Sequence, residues 1–112
     1  MLMRNYEIYH ITLDDDKIGV KPEVLVGMYS AIIAKSRQLA PPDIKTELAI
    51  AQDGRTKTMF HIQVSSRMAP HLIMAIQQQA DSQQGIGLKS YFYKLQEQIM
   101  AQLLAGEKDV IS

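Results

Sequence analysis

The chain has 112 residues, the length of one domain, and its 12 basic and 12 acidic residues cancel at neutral pH. That balance excludes a global electrostatic pull toward nucleic acid or anionic lipid. The absence of cysteine excludes disulfides, thiolate metal sites and a cysteine nucleophile.

At 46% hydrophobic and 21% charged residues, the composition is that of a folded domain and not of a disordered chain. The opening MLMRNYEIYH lacks the apolar run of a signal peptide. The most apolar stretch, Val24–Ala34, is too short to span a bilayer and contains Gly27, Tyr29 and Ser30. A cytoplasmic protein without membrane contact is the expectation.

The first element is a strand over Asn5–Leu13, rich in Tyr and Ile and closed by Asp14-Asp15-Asp16. Tyr9, Ile11 and Leu13 are expected on its core face, with Tyr6, Ile8, His10 and Thr12 on the other. The following DDDKIG mimics the start of a calcium loop, but Ile18 replaces an oxygen ligand and the twelfth position is Leu25 instead of Glu. An exposed acidic turn is the better reading.

A helix follows from Pro22, whose missing N–H costs nothing in a first turn, to the stop at Pro41-Pro42. Leu25, Met28, Ile32 and Leu39 recur at helical spacing, with Val24 and Ala31 beside them. Gly27 interrupts this helix at a cost of roughly 1 kcal/mol, and close packing on a sheet is the expected reason.

Two strands come next, Ile44–Ala51 and Arg55–Ser65, each with its apolar residues at even positions. A two-residue Asp53-Gly54 loop would pair Ile50 with Lys57 and mix the faces. A three-residue loop, with Gly54 at positive φ in a bulge, keeps the faces apart and pairs Ile50 with Thr56 and Leu48 with Thr58.

The second helix begins near Ser65 or Ser66, either of which can cap it, with Pro70 at its first turn. Met68, Leu72, Ile76 and Ala80 form its buried stripe, flanked by Ile73. Asp81–Gly87 is a Gln/Gly/Ser connector. The third helix, Leu88–Ala105, carries a stripe of Leu88, Phe92, Leu95, Ile99 and Leu103, broadened by Tyr91, Tyr93, Met100 and Leu104. Gly106 is placed to cap it, and 106–112 are expected to fray as a tail.

The whole is a single α+β domain of order β-α-β-β-α-α, a three-stranded mixed sheet with helices packed on one face. The long third strand is expected between the other two, antiparallel to both, because a right-handed crossover makes the first two parallel. The opposite sheet face then presents Lys45, Glu47, Ala49, Ala51, Arg55, Lys57, Met59, His61 and Gln63 with Tyr6, Ile8 and His10.

That face can simply be solvated, bury against protein, or stack single-stranded nucleic acid. No RNP-type motif, zinc-finger spacing, phosphate loop or nucleophile elbow occurs. His10 and His61 can share a face, but a third metal ligand is missing. Ser65, Ser66, His71 and Asp81 include the residue types of a catalytic triad, yet capping explains the serines better.

The sequence thus points to a non-enzymatic adaptor, inhibitor or regulatory subunit without cofactor or metal, working through protein contacts and as a homodimer. Tyr6, Met59, His61, Tyr91, Tyr93 and Met100 are the candidate contact residues, since aromatic and methionine side chains are enriched at interfaces. The alternative is a nucleic-acid-binding regulator that uses Lys45, Arg55, Lys57, Arg67 and Lys89.

Overall fold

The computed structural model describes residues 6–14, 18–19, 21–52, 59–83, 87–105 and 108–111. The elements are β1 (Tyr6–Asp14), α1 (Pro22–Leu39), a 3₁₀ turn (Pro42–Ile44), β2 (Leu48–Gln52), β3 (Met59–Ser65), α2 (Ala69–Asp81), α3 (Gly87–Ala105) and β4 (Lys108–Ile111). The fold is α+β, with strand order β2-β3-β1-β4.

β3 lies between β1 and β2 and is antiparallel to both, as the crossover argument requires. Every neighbouring pair is antiparallel, so the sheet is antiparallel and not mixed. It also gains a fourth strand. The segment expected to fray returns as β4 beside the outer edge of β1, with Tyr6 opposite Ile111 and Ile8 opposite Asp109. Val110 and Ile111 form a stretch too short to announce a strand on its own. An unpaired β1 backbone supplies the partner that four residues cannot supply for themselves.

Parity sorts the side chains. Tyr9, Ile11 and Leu13 of β1 and Phe60, Ile62 and Val64 of β3 share the helical face, paired Tyr9–Val64, Ile11–Ile62 and Leu13–Phe60. Leu48 and Ile50 join them from β2. Even positions of both hairpin arms therefore point inward, as their spacing demands.

The register differs from the expected one. Ile50 pairs with Ile62 and Leu48 with Val64, not with Thr56 and Thr58. The observed alignment sets apolar opposite apolar across the ladder, which a short loop forbids by drawing threonines into those places. The strands shorten accordingly, because the 3₁₀ turn takes Ile44 into the core from outside the sheet. The expected Gly54 bulge lies outside the described residues.

Helix boundaries follow the prolines. Lys21, ahead of Pro22, and Ala40, ahead of Pro41, both hold extended ψ values, 144° and 150°, so α1 is delimited at each end by a residue barred from helical backbone. Its buried stripe is Leu25, Met28, Tyr29, Ile32 and Ser36. Leu39 is only half-buried and Val24 is exposed. Ser36 is tolerated in the core because its Oγ donates to the Ile32 carbonyl at 2.6 Å. The Tyr29 and Phe60 rings meet at 4.8 Å with a 58° tilt.

Gly27 does not serve close packing on the sheet. It is exposed, and a Cβ built on it meets nothing within 4 Å. Gly19 holds positive φ, 81°, just after the fully buried Ile18, so that residue is a core anchor and not part of an ion loop. Asp15 and Asp16, the acidic part of that motif, lie outside the described residues.

The second helix is entered through Ser65. Its Oγ accepts from the Met68 N–H at 3.0 Å, while Ser66 pairs back to β1, its N–H donating to the Glu7 carbonyl at 2.7 Å. Met68, Leu72, Ile76 and Ala80 are fully buried as expected. In α3, Phe92, Leu95 and Ile99 are buried, but Leu88 is exposed at the first turn. The three helices cover one sheet face, and among the described residues the other carries no layer of its own.

Candidate functional site

The two long edges of the sheet are treated differently. Ser66 bonds Glu7 across the β1–β3 ladder, so the even-numbered backbone groups of β1 face the other way, toward β4. β4 covers this edge as far as Tyr9. Beyond it the Gln102 carboxamide takes over. Its Oε1 accepts from the Thr12 N–H at 2.8 Å and its Nε2 donates to the Thr12 carbonyl at 2.7 Å, while the same Nε2 reaches the Gln98 carbonyl at 3.3 Å. One glutamine thus supplies the donor and acceptor of a missing strand residue.

On the other side, the Ser65 N–H donates to the Glu47 carbonyl at 3.1 Å, which turns odd-numbered β2 residues toward β3. The amide and carbonyl of Ile50, and the amide of Leu48, consequently point outward. Among the described residues, the one side chain bonded to this edge is Arg37, whose Nη2 donates to the Leu48 carbonyl at 3.3 Å.

The strand itself, LAIAQ, carries no charge and no proline. It lacks the charged residues and proline by which proteins commonly guard an edge against pairing. Alongside it runs an open groove of about 150 Å³, lined by Val26, Tyr29, Ser30 and Ile33 of α1 with Ile50 and Phe60 of the sheet. Val26 is 50% exposed there. This is a concave strip of mixed apolar and polar lining bordered by backbone donors and acceptors, a combination that can accept an extended chain.

The six contact residues nominated from sequence do not form one surface. His61 lies exposed on the uncovered sheet face, its Nδ1 3.4 Å from Thr12 Oγ1. Tyr91 packs against the core, with the Lys94 ammonium 5.5 Å from its ring centre. Tyr93 (43% exposed) and Met100 (39%) sit on the outer face of α3, where Tyr93 Oη donates to Asp81 Oδ1 at 3.3 Å and Met100 Sδ accepts from Gln96 at 3.6 Å. Tyr6 and Met59 are placed only by register, opposite Ile111 and Asp14.

The uncovered face is mostly small and polar, with Ala49, Ala51, His61 and Gln63 exposed. A shallow cleft of about 270 Å³ opens on it near Ile8, Glu47 and Gln63. Such a face is at home in water.

Of the basic set, Arg55 and Lys57 lie outside the described residues. Arg67 is bonded through both Nε (3.2 Å) and Nη2 to the Glu47 carboxylate, so its charge is already engaged by a fork-to-carboxylate pair. Lys45 follows the 3₁₀ turn and Lys89 opens α3, both half-buried.

Ser65, Ser66, His71 and Asp81 are not brought together as a triad. Ser65 and Ser66 hold backbone N–H groups, and His71 and Asp81 stand ten residues apart on α2, about 15 Å along the axis. Among the described residues there is no group of three side chains able to hold a metal, and no helix is long and apolar enough to cross a membrane.

Ile50, Val26 and Ile33 were not singled out from the sequence. The available signal was Val26 itself, a large apolar residue off the buried stripe of α1, together with an uncharged strand placed last in the strand order. Comparison with protein-family models, curated proteins and solved structures finds no match.

Proposed function

We propose that this chain is a non-enzymatic protein-interaction module, an adaptor, inhibitor or regulatory subunit, that engages protein through the β2 edge and the groove beside α1. The observation that carries this reading is the outward-facing amide and carbonyl of Ile50, on a strand without charge or proline, next to an open groove. Backbone pairing supplies affinity in such a mode, and alternate side chains of the incoming strand, seated in the groove, supply selectivity. The outer face of α3, with Tyr93, Met100 and the 85% exposed Leu104, offers a second and separate contact patch.

A photo-reactive benzoylphenylalanine in place of Val26 tests the site, with the same group at the exposed Gln78 of α2 as control. Protein adducts at Val26 that survive nuclease treatment, without counterparts at Gln78, are expected. Adducts that disappear with nuclease would instead favour the nucleic-acid alternative. That alternative requires R55E/K57E to abolish the adducts, whereas the protein reading requires them to persist. Equal labelling at both positions would contradict it.

A further inference from the structure

We infer that the occupant of this edge is a second copy of the chain, paired β2 to β2 about a twofold axis so that two four-stranded sheets become one continuous eight-stranded sheet. The inference rests on the protein-contact reading of the same edge. It names the partner from three features that fit a twofold axis.

The first is parity. The residues whose backbone faces outward are Leu48, Ile50 and Gln52, and a twofold at the middle one pairs Ile50 with Ile50 and Leu48 with Gln52 of the partner, for which Arg37 has to give up its 3.3 Å bond to the Leu48 carbonyl. Each Ile50 amide then donates to the partner's Ile50 carbonyl. A twofold sets like against like, so charge at its centre would repel. This strand has none.

The second is charge complementarity on α1. Ser30 and Ile50 line the same groove, so an axis through Ile50 passes beside Ser30. Antiparallel helices crossing at Ser30 place Glu23 of one copy opposite Arg37 of the other, because both lie seven residues from the centre. Both are exposed, at the acidic first turn and the basic last turn of the helix, and the Arg37 bond within its own chain is to the neutral Leu48 carbonyl. The Ser30 hydroxyl already donates to the Val26 carbonyl at 3.0 Å, so close approach buries no unpaired donor.

The third is Gly27. It interrupts an exposed helical turn, and among the described residues a Cβ built there meets nothing within 4 Å. Opposite Ile33 of a second copy, the absence of a Cβ admits that larger side chain.

Sedimentation velocity over a concentration series tests the pairing. The wild type is expected to dimerise. Ile50→Pro removes an outward N–H that the β2–β3 ladder does not use. It should weaken the dimer about a hundredfold, tenfold for each of two symmetry-related bonds. Val26→Glu on the exposed helix serves where the proline variant loses its circular dichroism, and is expected to weaken the dimer by about tenfold or more.

Glu23→Lys and Arg37→Glu each set like charges together twice. Each alone should dimerise more weakly than wild type, and an equimolar mixture of the two should recover a heterodimer at low salt. A dimer that survives both Ile50→Pro and Val26→Glu with native circular dichroism overturns the pairing. So does a wild type that stays monomeric at every concentration. In that second case the protein-contact reading is judged independently, by nuclease-resistant cross-linking at Val26.

Discussion

The outer edges of β1 and β2 are two answers to one problem. Both present a row of backbone donors and acceptors that a sheet cannot satisfy internally. Along β1 the chain closes the row itself, with β4 over Tyr6–Tyr9 and the Gln102 carboxamide on Thr12. Along β2 Ile50 faces outward and, among the described residues, the Arg37 contact at Leu48 is the one side-chain bond to the edge. A chain that can cap one edge to the level of a single glutamine has not left the other exposed for want of means. The proposed pairing at β2 rests on this contrast.

Substitutions that separate the two edges sharpen this comparison. The largest effect is expected at Ala49, whose N–H faces β3 opposite Gln63. Ala49→Pro removes a ladder bond, leaves its β3 acceptor unpaired and should cost toward the upper end of about 1–3 kcal/mol in urea denaturation. Ile50→Pro, one residue on, spares that ladder and should cost markedly less in the same experiment. Equal costs would mean that the facing of β2 has been misassigned.

On the closed edge, Gln102→Ala leaves the Thr12 amide and carbonyl without their partner and should cost about 1–3 kcal/mol, measurable as a lower urea midpoint. Gln102→Glu keeps the acceptor and loses the donor, so it should fall between alanine and wild type. The smallest effect is at Gly27. Gly27→Ala should stabilise the isolated chain by about 0.8–1 kcal/mol in thermal denaturation at low concentration, since a Cβ there meets nothing. The same change should weaken self-association, whereas a Gly27 that serves its own fold would show the reverse sign at low concentration.

Much of the fold was readable because parity and proline act locally. The alternation of Tyr9, Ile11 and Leu13 and of Phe60, Ile62 and Val64 fixed which face is buried before any contact was known. Pro22 and Pro41 bounded α1 by excluding helical backbone from the residues before them. Register was not readable, because Asp53-Gly54 looks like a turn whatever the strands prefer. The cross-strand pairs Ile50–Ile62 and Leu48–Val64 decide the alignment from a distance that no short motif encodes.

β4 was missed for a related reason. Lys108–Ile111 becomes a strand only because β1 offers it an edge. The candidate site was the least legible part. Tyr91 and Met100 flank the α3 stripe from opposite sides, yet one packs against the core and the other faces outward. A residue such as Ile50 draws no notice until the strand order shows that its backbone has no neighbour on one side. Edges are properties of the assembled sheet, and composition carries little trace of them.

The most direct measurement is residue-resolved amide hydrogen exchange at Ile50 and Thr12 across protein concentration. Thr12 should be protected at every concentration, because Gln102 is part of the same chain. Ile50 should exchange freely when dilute and become protected as concentration rises. An Ile50 amide already protected in the dilute monomer, or unprotected at the highest concentration, would contradict the account.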